Sequence, residues 1–169
     1  MQNYGLQRMN PRGIGGRLRA AIVAIVFLFP TALLSAQIET ELERVDEILD
    51  EERPEAAMEQ LMELEESATG GAERAEVYWR MASASLMLGD QREDAGAGAE
   101  ELLAVFEEGE GYGQQAIEAD PTNPLGYYWK SANIGRWGQT KGVLNSLFRA
   151  PDMRDLLTEA ISRDPQHAD

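Results

Sequence analysis

Two short stretches of this chain occur twice. "AIEADPTNP" (Ala116 to Pro124) and "AISRDPQHA" (Ala160 to Ala168) agree at A-I-x-x-D-P with an offset of 44 residues. "YWRMA" (Tyr78 to Ala82) and "YWKSA" (Tyr128 to Ala132) agree with an offset of 50. Self-similarity at this period constrains the fold more than composition does. A unit that cannot bury its apolar face alone must bury it against the next unit, which points to stacked helical hairpins.

The residues between the repeats support helices. Ile38, Leu42, Val45 and Leu49 form one amphipathic stripe. Pro54 suits the first turn of a second helix, whose apolar side is Ala57, Met58, Leu61, Met62 and Leu64. "TGGA" (Thr69 to Ala72) interrupts it. A third helix is expected from about Ala72 to Leu88, stopping at Gly89-Asp90, and a fourth from about Asp94 to Ala119, ending at Asp120-Pro121. "GVLNSLFRAP" (Gly142 to Pro151) reads as a short added helix, with Pro151 starting the next. No segment sustains period-two alternation, so the expected class is all-α.

The N-terminus reads differently. Four arginines and no acid lie between Arg8 and Arg19, followed by "AAIVAIVFLFPTALL" (Ala20 to Leu34) and "SAQ". A basic region, an apolar run and a small-residue boundary describe a secretory signal over residues 1–36. The run is 15 residues and contains Pro30, short of the ~20 that span a bilayer. An uncleaved anchor over residues 20–34 is the alternative, and a membrane is a partner only in that case. The expected location is the periplasm or the exterior. The absence of cysteine removes disulfides, thiolate chemistry and a lipid-attachment cysteine. Residues 37–169 then carry 30 acids and 11 bases, net −19, of which Gln37 to Glu110 supply −18 and Gly111 to Asp169 only −1. That field repels phosphate backbones, so nucleic acid is not expected as a partner.

At the repeated residues the chain resembles the tetratricopeptide repeat superfamily. The resemblance places Tyr78 with Ala82, and Tyr128 with Ala132, early on first helices. It places Gly109, Gly113 and Ala116 on one second-helix seam, with Pro121 closing the unit. Met153, Leu157 and Ala160 form the next seam, closed by Pro165. Trp79 and Trp129 are expected to pack between repeats beside Tyr78 and Tyr128. A regular unit puts about 28 residues between the early aromatic and the closing proline; here Tyr78 to Pro121 is 43 and Tyr128 to Pro165 is 37. The units therefore carry insertions. The stretch "YYWKSANIGRWGQTKGVLNSLFRAPDMRDLLTEAISRDP" is similar to repeat proteins grouped with the T component of TRAP transporters and with regulator-of-microtubule-dynamics proteins. The resemblance implies a right-handed α-solenoid of about three hairpins over residues 37–169. It further implies a protein-interaction scaffold, exported in bacteria and sometimes tied to a solute transporter.

The expected partner is a protein or peptide, with transporter subunits as an alternative. "GRWGQTKG" supplies the candidate binding residues: Trp137 with Arg136, Gln139 and Lys141 beside it suits a carboxylate or acidic peptide. Packing of the added helix explains the same residues. Enzymatic readings find little. His167 is the single histidine and lies near the end of the sequence. "DEILDEE" (Asp46 to Glu52) lacks the spacing of a calcium loop, and "GEGYG" (Gly109 to Gly113) follows a helix instead of a strand. An enzyme working through acids such as Glu76 or Asp90 has no support in spacing. No catalytic residue, metal or cofactor is expected. The sequence closes on "DPQHAD", where such an array would start another first helix. Either the chain is a fragment of a longer product, or its last face meets a partner or a second copy.

Overall fold

The structure, a computed structural model, describes residues 36–164; the proposed signal up to residue 35, Pro165 and His167 lie outside them. Six helices follow one another: α1 (residues 36–50), α2 (Pro54–Ser67), α3 (Gly71–Asp94), α4 (Ala99–Ala119), α5 (Pro124–Lys141) and α6 (Val143–Arg163). No strand occurs among the described residues. Each helix from α2 onward packs on the next, and α5 also packs on α3. The chain is an all-α helical-repeat protein.

Local chemistry explains the boundaries. Pro54 opens α2 at its first turn. The Glu73 carboxylate accepts from the backbone N–H of Thr69 at 3.0 Å and of Gly70 at 3.2 Å, which satisfies donors that the start of α3 leaves without partners. The repeated Asp-Pro makes the α4–α5 turn: Asp120 Oδ1 accepts from Thr122 N (2.9 Å) and Thr122 Oγ1 (2.6 Å). Asn123 then caps α5 by accepting from Leu125 N at 2.9 Å.

Two helices differ from the sequence reading. Gly89 does not stop α3 but lies inside it, because a side chain there has no room: a Cβ would come 2.2 Å from Cε1 of Phe106. The helix ends at Asp94, shortly before Gly96 takes a φ of +87°. Pro151 does not start a helix either. α6 is continuous through it, and because this position is exposed, the carbonyl that loses its N–H partner to proline is open to water.

The N-terminal core joins α1, α2 and α3. Ile38, Leu42, Val45 and Ile48 bury against Ala57, Leu61, Val77 and Met81, with Leu49 packed beside them. Farther along, glycines bring the backbone of α4 close to α5. A Cβ on Gly109 would lie 2.2 Å from Asn133 Oδ1, and one on Gly113 would lie 2.7 Å from the Cα of Lys130. So α4 presents two bare backbone positions to α5. Gly111, on the same helix, has nothing within 4 Å of its would-be Cβ. Gly113→Ala should therefore cost about 1–3 kcal/mol of stability through overpacking. Gly111→Ala should gain up to about 1 kcal/mol through helix propensity. Chemical denaturation of the two variants checks the opposite signs.

Tyr78 and Tyr112 pack against the core and hydrogen-bond to carboxylates, Tyr78 to Glu65 at 2.8 Å and Tyr112 to Glu108 at 3.0 Å. Burial, then Glu65, raises the pKa of Tyr78; burial, then Glu108, pushes Tyr112 up to about 12. The folded state thus favours neutral phenols. The contribution of Tyr112 is complete below the ordinary value of 10.0 and disappears as pH climbs from there to about 12, and that of Tyr78 is likewise lost above 10.0. Denaturation midpoints measured across that window should fall, and Tyr112→Phe should make the fall shallower.

Candidate functional site

The C-terminal half of α5 carries the four residues singled out for partner binding. Arg136 donates from Nε to Asp90 Oδ1 at 2.6 Å, from a terminal nitrogen to Glu93, and from the other to Gln139 Oε1 at 2.8 Å. Its guanidinium also stands 5.3 Å from the ring centre of Phe106. Burial disfavours the charge on Arg136, but its hydrogen bonds to Glu93 and Asp90 outweigh it and raise the pKa. Trp137 points elsewhere. Its Nε1 donates to Glu107 Oε1 at 2.8 Å, and its ring lies 5.5 Å from the Arg149 guanidinium and 5.9 Å from Lys141 Nζ. Arg149 in turn pairs with Glu110 at 2.6 Å.

This geometry gives the candidate residues partners within the chain. The carboxylates that Arg136 and Trp137 were expected to take from a peptide come from the chain itself, on α3 and α4. Arg136 and Gln139 form one cluster and Trp137 and Lys141 another, and the four do not converge on a single point. Their contacts join the end of α5 to α3, α4 and α6.

A related tie joins α1 and α3. Arg80 of α3 makes a bidentate pair with Asp46 of α1, at 2.7 and 2.8 Å, and donates to Glu76 Oε2 at 2.7 Å. Its guanidinium covers the Trp79 ring at 4.1 Å. Burial opposes the charge, yet Asp46 and Glu76 hold the Arg80 pKa above the ordinary value. Glu76 Oε1 accepts from Asn123 Nδ2 of the α5 cap at 2.8 Å. Between α1 and α3 an open cleft of about 360 Å³ has Ile38 and Leu42 among its apolar lining, with Glu39, Glu43, Glu73, Glu76 and Arg80 around them. A second cleft of about 320 Å³ between α4, α5 and α6 mixes Lys130 and Arg149 with Glu110, Asp152, Asp155 and Glu159.

The remaining packing residues divide. Ala82, Gly109, Gly113, Ala116 and Ala160 are buried; Tyr78, Trp79, Trp129 and Ala132 are partly buried, and Pro121 is exposed. Tyr128 differs from its reading: it is 47% exposed and stands edge-on to Trp129 with ring centres 5.0 Å apart. The inward place belongs to Tyr127, on the same helical face as Ser131, Ile134 and Gly138. Leu157 is exposed as well, because α6 turns Met153 and Ala160 inward and Leu157 away from α5. The sequence reading missed Asn133, which is fully buried and donates from Nδ2 to Ala82 O and Trp129 O, both at 2.9 Å. A polar residue directly after the small position of a repeat was its available signal. Arg80 was also missed, although it follows the first Tyr-Trp pair.

No group of metal-ligating side chains and no helix long and apolar enough to cross a membrane occurs among the described residues. Arg136→Ala should cost about 1–2 kcal/mol, since it removes a partly buried charge-assisted cluster whose acids are half exposed. At about 1 M salt, where the screening length falls to about 3 Å, the difference between wild type and variant should shrink.

Searches of curated proteins and of solved structures each found no match. A family model described as "Regulator of microtubule dynamics protein 1-3" matches residues 41–169. The match begins within α1 and takes in every later helix, including the Arg80 and Arg136 ties and the glycine contact between α4 and α5. On that coverage, the chain belongs to the regulator of microtubule dynamics protein 1-3 family.

Proposed function

We propose that this protein is an exported, non-catalytic scaffold of tetratricopeptide type that binds a protein or peptide partner along its first helices. The hairpins are α1/α2, α3/α4 and α5/α6, stacked as a solenoid with α1, α3 and α5 side by side. The lateral Arg80–Asp46 and Arg136–Asp90 pairs support that stacking, as does the direct packing of α5 on α3. Export rests on the basic and apolar run that ends near Ala36.

The observation that carries the binding surface is the α1–α3 cleft. Ile38 and Leu42, largely buried in the core, form its floor, and four glutamates stand around them. Such a lining suits an extended segment that presents apolar side chains flanked by lysine or arginine. The polarity of the preferred peptide is therefore opposite to that read from Trp137 and Arg136, whose cationic and donor groups face the chain's own acids. The transporter-accessory reading, with a small organic anion as ligand, finds less support. The cleft that offers Lys130 and Arg149 has already matched them to Gln114 and Glu110 and surrounds them with further carboxylates.

An array of basic, neutral and acidic peptides tests the proposal. Basic peptides with apolar neighbours should bind the full chain. The pair Glu39→Gln with Glu43→Gln should weaken that binding roughly tenfold, about 1.4 kcal/mol, with unchanged helicity. Equal binding across the array, or indifference to the two substitutions, would end the reading.

A further inference from the structure

The outer face of α6 carries the largest exposed apolar side chains of the described structure. Val143, Leu144, Leu147 and Phe148 are all 65–78% exposed, and Leu157 and Ile161 continue the row. Val143, Leu147, Ala150, Arg154, Leu157 and Ile161 step along the helix by 4, 3, 4, 3 and 4 residues, and all six are exposed. That is the spacing of a coiled-coil seam, running the length of the helix. Apolar rows of this kind on a solvent face mark contacts.

The occupant follows from the symmetry of the row and from charge. The six positions are palindromic about residue 152. Laid antiparallel on a second α6, Val143 meets Ile161, Leu147 meets Leu157, and Arg154 meets Ala150, whose small side chain leaves space for the arginine stem. The exposed positions flanking the row on one side, Leu144, Pro151 and Thr158, bear no charge, and those on the other, Ser146, Met153 and Ala160, are uncharged and turn toward α5. For a chain of net charge −15 this face lets two copies meet without setting acid against acid. A further repeat helix docked as α5 docks on α4 suits the face less well. By the repeat offset of 44, Leu157 stands where α4 has Gly113, the bare position that lets the α5 backbone approach. A leucine there calls for interdigitated side chains.

We infer that α6 pairs with α6 of a second copy of this chain, antiparallel and about a two-fold axis near Asp152.

The native chain has no cysteine, which allows a clean test. Leu147→Cys and Leu157→Cys are made in separate full chains carrying different tags, mixed and mildly oxidised. The pairing brings residue 147 of one copy opposite residue 157 of the other. Two copies of residue 147 are kept about 15 Å apart along the helix, beyond disulfide reach. The mixture should give at least tenfold more linked dimer than either variant alone. In parallel, wild type should sediment as a dimer and Leu147→Glu as a monomer of unchanged helicity. Cross-linking of Leu147→Cys with itself as efficiently as in the mixture, no cross-linking, a monomeric wild type, or a dimer indifferent to Leu147→Glu would each overturn the inference.

Discussion

The contact of α4 with α5 is made by backbone, and much of the arrangement follows from it. At Gly113 the backbone of α4 meets the backbone of α5 at Lys130, and at Gly109 it meets the Asn133 side chain. The amide of Asn133 fills the space that a Cβ at Gly109 would need and spans from there to the carbonyl of Ala82 on α3. One buried amide thus meets three helices at once. Its Oδ1 has no hydrogen-bond donor on the protein, a cost on the order of 1–3 kcal/mol, and it is tolerated where shape fixes one position for the side chain. The Arg80–Asp46 and Arg136–Asp90 pairs add ties from α3 to α1 and to α5.

The sequence carried the class and the period but not the direction of individual side chains. The Asp-Pro repeat marks the α4–α5 turn, and Gly109, Gly113 and Ala116 all face inward. What stayed illegible depended on neighbours. Gly89 reads as a helix stop until Phe106 is seen pressed against it, and Pro151 reads as a helix start until its position proves exposed. Tyr127 and Tyr128 are adjacent and chemically alike, so only the register of α5 against α4 decides which turns inward. Arg136 and Trp137 looked available for a ligand because Asp90, Glu93 and Glu107 lie 30 to 46 residues away in sequence. Linear spacing gives no sign of such pairings.

Acid excess and internal pairing together shape what this surface offers. The arginines closest to the core, Arg80 and Arg136, are each shared between two carboxylates. The strongest cations are thereby withdrawn from recognition, and the surplus acids of α1 and α3 dominate the cleft between them. At the other end, α6 is nearly balanced in charge and apolar outside. The two ends of the array thus offer unlike chemistry, one electrostatic and one hydrophobic.

The succession of helix contacts has a kinetic consequence. Apart from α3 with α5, the closest helix contacts from α2 onward join each helix to its successor, and ion pairs add the longer α1–α3 and α4–α6 ties. Little chain must be looped out before a contact forms, so the entropy of closure is small and acquisition of structure is rapid for the chain's length. Assembly can then spread from whichever hairpin collapses first, without covalent cross-links to hold intermediates in place.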